Sequence, residues 1–525
     1  MIVENVLQVY HQVAERLLPV LKRQSKVSYI GAAILCILAS EVYAQLRVPK
    51  YLRQFPKVSY FKLLKSLYVN ESVFDRNKRL VVPITQQGYK FYTSKMPLSW
   101  SLFVTDADIA KTLLLKSDTF PKSDEFVQKL GPSSPAVMFL GKDNVALSNG
   151  HTWKRQRKFM NPAFHRAMPV KTFASVMPRL FAVIDENPHD FPAAIRMKNF
   201  TLDALGLAGF AFDFQSLTGD PEGWSKTYNV VIRSLFNPWV NVFAKIDFIL
   251  YTIMPSKRES YHAVIKFNKM LVNMADKRRQ EIYDGQKSNL PESEKDLLTL
   301  MIEAELREGV TTTSQELREN IALFFLAGHD TTAHTLTFCL YNLAKNKDIQ
   351  TKLRQEILDV LGDDPCDVTP TLEDLKKMTY LDMVLKENLR KSGPADRILN
   401  RVTAEDVELG GTMVPKGIPI SVDIVSIHMN PKYWHDPERF IPERFEQGGE
   451  YDSHTGMTWL PFSNGARQCI GMNFSLTEQR VVLVMLLKRY EIDVPRDSIH
   501  YDKVVYDKPF NFAPADLKLS FTKRY

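Results

Sequence analysis

An apolar run from Ile321 to Phe338 follows the polar, helix-forming stretch Gln315-Glu316-Leu317-Arg318-Glu319-Asn320. It is too long for a strand and predicts a long, largely buried helix. Four other stretches read as helices: Met197–Phe214, Lys226–Phe236, Tyr261–Ile282 and Ser293–Arg307, the last with Ser293 as its N-cap. Strand-like pieces are fewer and gather at Leu80–Val82, Ser101–Val104 and Ile418–Val425. The pattern predicts a mainly α fold with a small β region (α+β), built round one long central helix.

The first sixty residues follow a different pattern. Met1–Leu21 carries apolar residues at helical spacing, with Glu4, Glu15 and Arg16 on the remaining face. Val27–Ser40 is uncharged but spans only about 21 Å as a helix, short of a ~30 Å hydrocarbon core. Continuing to Leu46 reaches spanning length, with Glu41 near one interface. Basic residues flank the stretch on both sides (Lys22, Arg23, Lys26; Arg47, Lys50, Arg53), so charge asymmetry sets no orientation. A membrane anchor follows from this, spanning or interfacial, and Pro49 and Pro56 read as a stiff hinge. No Gly/Ser linker, acidic tract or repeat divides the remainder. Residues 1–57 are thus an anchor and hinge, and residues 58–525 one large domain.

Composition adds exclusions. With 525 residues and 45% hydrophobic content, the chain can bury a sizeable core. Its net charge of +8 comes without aromatic-interleaved basic stripes, which argues against nucleic acid and for membrane- and partner-facing basic patches. Cys36, Cys339, Cys366 and Cys469 are too widely spaced for a zinc motif or disulfide framework.

The chemistry concentrates at Phe462-Ser463-Asn464-Gly465-Ala466-Arg467-Gln468-Cys469-Ile470-Gly471. Gly465 and Gly471 let the backbone turn tightly and approach a large flat ligand. Arg467 brings positive charge for an anionic ligand edge. The pattern Phe-x-x-Gly-x-Arg-x-Cys-x-Gly resembles the haem-thiolate loop of the cytochrome P450 family. By that resemblance Cys469 is the iron ligand, and Phe462, Gly465, Arg467 and Gly471 shape the haem pocket. In style the motifs are similar to eukaryotic, microsomal-type members, fungal ones among them.

Three other segments fit the same resemblance. Glu387 and Arg390 lie at i and i+3 on one helix face. Alone they would suit a solvated ion pair, but the family buries this pair and completes it with a later arginine, here Arg444. Ala327-Gly328-His329-Asp330-Thr331-Thr332 interrupts the apolar run with residues unfavourable in a helix interior. It resembles the family's oxygen-binding groove, a widened helix where Thr331 would hold water and Asp330 would feed protons inward. His329 and His334 lie about 140° apart round a helix, so no shared metal is expected. Trp153 and Arg157 match the Trp-x-x-x-Arg pair that binds the haem propionates. Lys154, Arg155 and Lys158 would stay outside as a docking patch for an acidic electron donor.

The chain also departs from the family. After Arg390 it reads Lys391-Ser392-Gly393-Pro394 where Leu-x-Pro-Pro is common. The next propionate-binding arginine is therefore Arg401 or Arg397, with Arg401 the better match. Ala327 replaces the acid that esterifies haem in one fatty-acid-hydroxylating branch, so covalent haem attachment is not expected.

The resemblance implies a haem-dependent monooxygenase inserting one oxygen atom from O2 into an apolar substrate, whether sterol or steroid, terpenoid, fatty acid or xenobiotic. Electrons would come from a separate NADPH-cytochrome P450 reductase, with cytochrome b5 a further partner. The setting would be the endoplasmic reticulum membrane, with the catalytic domain in the cytosol. Glu125–Ser148 is the expected lid over the haem. Phe236–Met254, rich in aromatics, is either a core helix or a membrane-dipping substrate entrance. From sequence alone, a haem-thiolate isomerase or dehydratase acting on hydroperoxides, and a non-enzymatic haem protein, stay open.

Overall fold

The computed structural model describes residues 46–69, 71–96, 98–235, 254–285, 290–309, 312–506, 514 and 516–525, together with Cys36 and Tyr43. Apart from Cys36, the anchor segments Met1–Leu21 and Val27–Ser40 lie outside them, as does all of Phe236–Met254 except Met254. The chain divides into two compact units, Met1–Gln54 and Phe55–Tyr525. Everything below concerns the second. Among the described residues no single helix is long and apolar enough to cross a membrane.

Its described helices of eight or more residues are α1 (Tyr60–Tyr68), α2 (Val73–Leu80), α3 (Ala107–Leu115), α4 (Gly150–Arg166), α5 (Val170–Glu186), α6 (Ala193–Phe210), α7 (Trp224–Leu235), α8 (Pro255–Tyr283), α9 (Leu297–Glu308), α10 (Ser314–Lys345), α11 (Lys347–Leu361), α12 (Thr379–Ser392) and α13 (Met472–Arg489). The strands are β1 (Phe91–Lys95), β2 (Trp100–Val104), β3 (Phe191–Pro192), β4 (Arg401–Val402), β5 (Val407–Leu409), β6 (Thr412–Val414), β7 (Pro419–Val422), β8 (Tyr490–Asp493) and β9 (Lys518–Lys523). The main sheet runs β1-β2-β7-β4, with β2 and β7 parallel and the outer pairs antiparallel.

The central helix α10 begins at a capping box: the Thr313 hydroxyl accepts the Glu316 N–H, and the Glu316 carboxylate accepts the Thr313 N–H. Its apolar side chains then pack against α6, α8 and α12 inside one large core. The segment Ala327–Thr332 is helical throughout. The Thr331 and Thr332 hydroxyls donate to the Ala327 and Gly328 carbonyls, at 2.6 and 2.8 Å, satisfying themselves within the turn. Gly328 lets α6 come close, since a Cβ there would stand 3.1 Å from the Leu205 side chain.

Elsewhere the boundaries shift for identifiable reasons. Ser293 does not cap its helix. It sits inside a 3₁₀ turn, Glu292–Glu294, and Asp296 is the N-cap, accepting the Thr299 N–H at 2.9 Å. Leu80–Val82 is not a strand. Leu80 ends α2, which Ser72 caps, and Val82 opens a helical turn with Pro83, a residue that cannot donate to a sheet ladder. The predicted strand Ile418–Val425 is cut short by Asp423, whose side chain caps the helix Ile424–His428. The other predicted helices are present with displaced ends. Met197–Phe214 is α6, closed by Ala211 in the left-handed region at φ 52°; Lys226–Phe236 is α7, and Tyr261–Ile282 lies within α8.

The lid segment contains two short helices, Glu125–Leu130 and Pro135–Leu140. Three buried polar residues on α10 hold it. Arg318 donates to the Met138 carbonyl at 3.1 Å and to the Phe139 carbonyl. Glu319 accepts the Asp143 N–H, and Asn320 accepts the Val145 N–H, each at 2.9 Å. We expect Asn320→Ala to lose about 1–3 kcal/mol of stability, because it leaves a buried N–H without an acceptor. Denaturant unfolding checks this; a loss below about 0.5 kcal/mol, within the range of ordinary surface substitutions, would show that the contact does not hold the lid.

Candidate active site

Cys469 lies on a loop whose shape comes from its own backbone. The Cys469 N–H donates to the Phe462 carbonyl at 2.9 Å, closing a ring that contains the 3₁₀ turn Gly465–Arg467. Gly465 has φ 71°, and a Cβ there would stand 2.7 Å from the Leu114 carbonyl of α3, so a side chain is excluded twice over. Gly471 precedes the first residue of α13. Cys469 is exposed, yet desolvation by the protein packed around it pushes its thiol up, while the Gly471 N–H and the Arg157 guanidinium favour the thiolate.

A cavity of about 320 Å³ opens beside this sulfur, lined by Trp153, Arg157, Gly465 and Cys469 among others. Thus α4 supplies Trp153 and Arg157 one turn apart, opposite the loop. Arg467 stacks on the Trp153 ring, its guanidinium carbon 3.9 Å from the centroid, and donates to the Ser148 carbonyl and Asn149 Oδ1. Arg401 is 1% exposed. Its Nη1 reaches the Leu113 and Phe120 carbonyls at 3.3 Å, whereas its Nε and Nη2 are buried without partners among the described residues. Burial lowers Arg401 to about 10, and burial with the nearby Arg401 and Arg157 charges does the same to Arg467. Such a cluster of desolvated cations with orphaned donors is complementary to an anionic ligand edge. Arg397 is already engaged, pairing with Asp396 at 2.8 Å.

Asp330 and Thr331 sit on α10, and the geometry separates their surroundings. Asp330 pairs with Lys198 of α6 at 2.8 Å and lies 3.5 Å from the His329 ring. Burial works against the carboxylate, but His329 and Lys198 outweigh it and hold its pKa below the usual value. Thr331 is exposed. The next residue ties this stretch to the cysteine loop, since the Thr332 hydroxyl meets that of Ser475 on α13 at 2.9 Å. His329 turns into the core against Tyr228 and Phe325, and His334 packs on Phe338.

Glu387, Arg390 and Arg444 form one buried network. Arg390 makes a bidentate pair with Glu387 at 2.7 and 2.8 Å, and the Arg444 Nε reaches Glu387 at 3.4 Å. Arg390 also donates to the His428 and Pro437 carbonyls, and Arg444 to the Asp436 carbonyl and to Glu450. His428 relays the order onward. Burial and the Arg390 charge lower it to about 3, so it is neutral, with Nδ1 against the Arg390 carbonyl and Nε2 accepting the Leu460 N–H. Leu460 stands two residues before Phe462.

The basic patch on α4 is smaller than expected. Lys154 is exposed, but Arg155 pairs with Glu316 and Lys158 with Glu308, because α9 and the start of α10 present acids to that face. Residues that only the folded chain brings in are His428, Ser475, Lys198 and Asn149. Each is an ordinary polar residue lying far in sequence from its partner.

Comparison with known proteins shows the family. The family model "Cytochrome P450" matches residues 67–503. Cytochrome P450 4A24 of Sus scrofa is 28% identical over 91% of this chain and 94% of its own. The taurochenodeoxycholic 6 alpha-hydroxylase of Sus scrofa is 28% identical over 74% of this chain and 76% of its own. Among solved structures, the cytochrome P450DA heme domain superposes with TM-score 0.71 at 21% identity, covering 90% of this chain and 98% of that one. The chain therefore belongs to the cytochrome P450 family. It is a monooxygenase with haem as cofactor, using O2, a substrate and a redox partner.

Removing one member of the buried network strands the others. Glu387→Ala is expected to destabilise the protein by roughly 3–5 kcal/mol, read by denaturant or thermal unfolding. A loss of about 1 kcal/mol or less, the range of an exposed ion pair, would show that the trio is not acting as a unit.

Proposed function

We propose that this protein is a membrane-anchored, haem-thiolate monooxygenase acting on an apolar small molecule of the sterol or steroid, terpenoid, fatty-acid or xenobiotic classes. The observation that carries the reading is the conjunction of one cysteine sulfur, held on a glycine-bounded loop, with a cluster of desolvated arginines in which buried Arg401 has two unpartnered donors among the described residues. Residues 1–57 act as anchor and hinge at the endoplasmic reticulum membrane, with residues 58–525 as the catalytic domain in the cytosol. Electrons come from a separate NADPH-cytochrome P450 reductase, with cytochrome b5 as an additional donor.

In this reading Cys469 would bind the haem iron through its sulfur, and Phe462, Gly465, Arg467 and Gly471 fix its loop. Trp153, Arg157, Arg467 and Arg401 hold the two haem carboxylates. The orphaned Arg401 donors favour Arg401 over Arg397, whose guanidinium already has a carboxylate. Haem, when bound, would supply O2 activation and substrate oxidation. Thr331 holds a water by its hydroxyl. Asp330, kept ionised by Lys198, takes a proton from the solvent side and delivers it inward. Glu387, Arg390 and Arg444 keep the loop in place. Partly buried apolar side chains on the lid and α10, including Met138, Leu140, Leu323 and Leu326, give a substrate surface to pack on and exclude water.

Two substitutions test the assignment. Cys469→Ser should abolish the thiolate-type absorption of the reduced carbon monoxide complex, and an unchanged band removes Cys469 as ligand. Thr331→Ala should leave NADPH consumption largely intact while diverting reducing equivalents into hydrogen peroxide. If product formed per NADPH consumed equals that of the native enzyme, Thr331 has no part in proton delivery.

A further inference from the structure

His329 is fully buried on α10, and its surroundings fix which ring nitrogen carries the hydrogen. Nδ1 lies 3.1 Å from the Phe325 carbonyl, one turn earlier. A carbonyl only accepts, so Nδ1 bears the hydrogen of the neutral ring. The Tyr228 hydroxyl of α7, 3.4 Å from Nδ1, gives its own hydrogen to that same carbonyl at 3.1 Å and leaves this tautomer in place. Burial lowers the His329 pKa against the pull of Asp330, so the ring is neutral at rest. Nε2 is therefore a bare acceptor. It is buried without a hydrogen-bond partner among the described residues, with Asp330 Oδ1 3.5 Å away.

Two acceptors thus face each other with no hydrogen between them. Asp330 Oδ1 is also the atom that Lys198 of α6 holds at 2.8 Å, which suits the ionised carboxyl and gives Nε2 nothing. A buried acceptor left unanswered costs free energy unless another state of the site uses it. A relay has such a state. Once Asp330 takes up a proton it becomes a donor, its tie to Lys198 weakens, and Nε2 is the buried lone pair beside it. Closing 3.5 Å to a hydrogen bond needs a side-chain movement of under about 1 Å. The charged groups acting on the ring are Asp330 on its own helix and Lys198 from α6; Tyr228 faces it from α7 as a neutral phenol.

We propose that His329 is a positioning residue of the proton relay: it accepts the Asp330 hydrogen while that carboxyl is protonated, as Lys198 holds the carboxyl while it is ionised. This rests on the relay role given to Asp330 above. One proton arrives from the solvent side on Asp330, stays on its oxygen while bonded to Nε2, and leaves for the water held by Thr331. The carboxylate then returns to Lys198. No electron moves, and the Nδ1 hydrogen stays with the Phe325 carbonyl. A charged His329 would favour the carboxylate, whereas the neutral ring, as an acceptor, favours the acid. The relay therefore stays loaded to a higher pH than a carboxyl paired with lysine alone.

The test uses the full-length, haem-loaded chain as its diamagnetic reduced carbon monoxide complex, with histidine carrying the heavy nitrogen isotope for magnetic resonance. His329→Phe keeps a ring against Tyr228 and identifies the His329 signals by their loss. In the native chain at neutral pH, Nδ1 should read as protonated and Nε2 as bare. Asp330→Asn offers an NH2 to Nε2, as a protonated carboxyl offers O–H, and should move the Nε2 signal toward the hydrogen-bonded position. A protonated Nε2 in the native chain, or an Nε2 signal unmoved by Asp330→Asn, overturns the proposal. In turnover with reductase, product formed per NADPH should decline at a pH about one unit lower in His329→Phe than in native, the worth of one hydrogen bond. A loss equal at every pH marks packing alone and overturns it. If His329→Phe does not fold, His329→Gln decides: its amide oxygen keeps an acceptor, so its decline should coincide with native, and a displaced one overturns the proposal. Asp330→Asn with native product per NADPH at every pH would instead sink the relay role of Asp330 itself.

Discussion

Glu387 has no solvent exposure and is shared between the guanidinium groups of Arg390 and Arg444. A carboxylate in that position is tolerable only if both partners stay, because desolvation of each ion is answered by the others. The geometry meets that demand almost atom by atom. Glu387 also accepts the Ile441 N–H at 2.9 Å, and the spare donors of both arginines go to carbonyls of the irregular stretch after His428. That stretch has little regular secondary structure to satisfy its own backbone. The network does for it what a helix does for itself.

The consequence reaches the sulfur through one histidine. His428 takes the Arg390 carbonyl on one nitrogen and the Leu460 N–H on the other, which fixes its tautomer as well as its charge state. The Trp459 indole N–H donates to the Lys386 carbonyl, one residue from Glu387. Two links thus run from the buried ions to the residues just before Phe462, whose carbonyl in turn holds the Cys469 amide. The loop is not anchored by its own turn alone. Its position relative to α12 is set by charges that never contact it.

Much of this was legible in the sequence, and what was legible was local. Cys469 with its glycines, Trp153 with Arg157 one turn on, and Glu387 with Arg390 are short-range patterns whose spacing carries meaning. Arg444 could be placed because a second local pattern, Pro442-Glu443-Arg444-Phe445, marked it. His428, Ser475, Lys198 and Asn149 carry no such mark, since each matters through a partner more than a hundred residues away or across an irregular loop. The errors in secondary structure have the same origin. Leu80–Val82 is apolar and branched, which suits a strand, but the Ser72 cap and Pro83 on either side decide for helix. Ser293 is a good cap by type, yet Asp296 is the one at the boundary. In α10 the threonine hydroxyls do bond back to the preceding turn, as their type suggests, and the helix runs through them.

That continuity lets α10 couple three parts of the protein. Its first turns hold the lid backbone through Arg318, Glu319 and Asn320, all buried. Its middle carries Asp330, tied to α6 through Lys198. Thr332 joins it to α13, the helix that starts three residues after Cys469. A rod bonded to residues 138–145, to α6 and to α13 cannot shift at one end without straining the others, since packed interiors transmit displacement. Any displacement of residues 138–145 relative to α10 would therefore have to break their bonds to Arg318, Glu319 and Asn320.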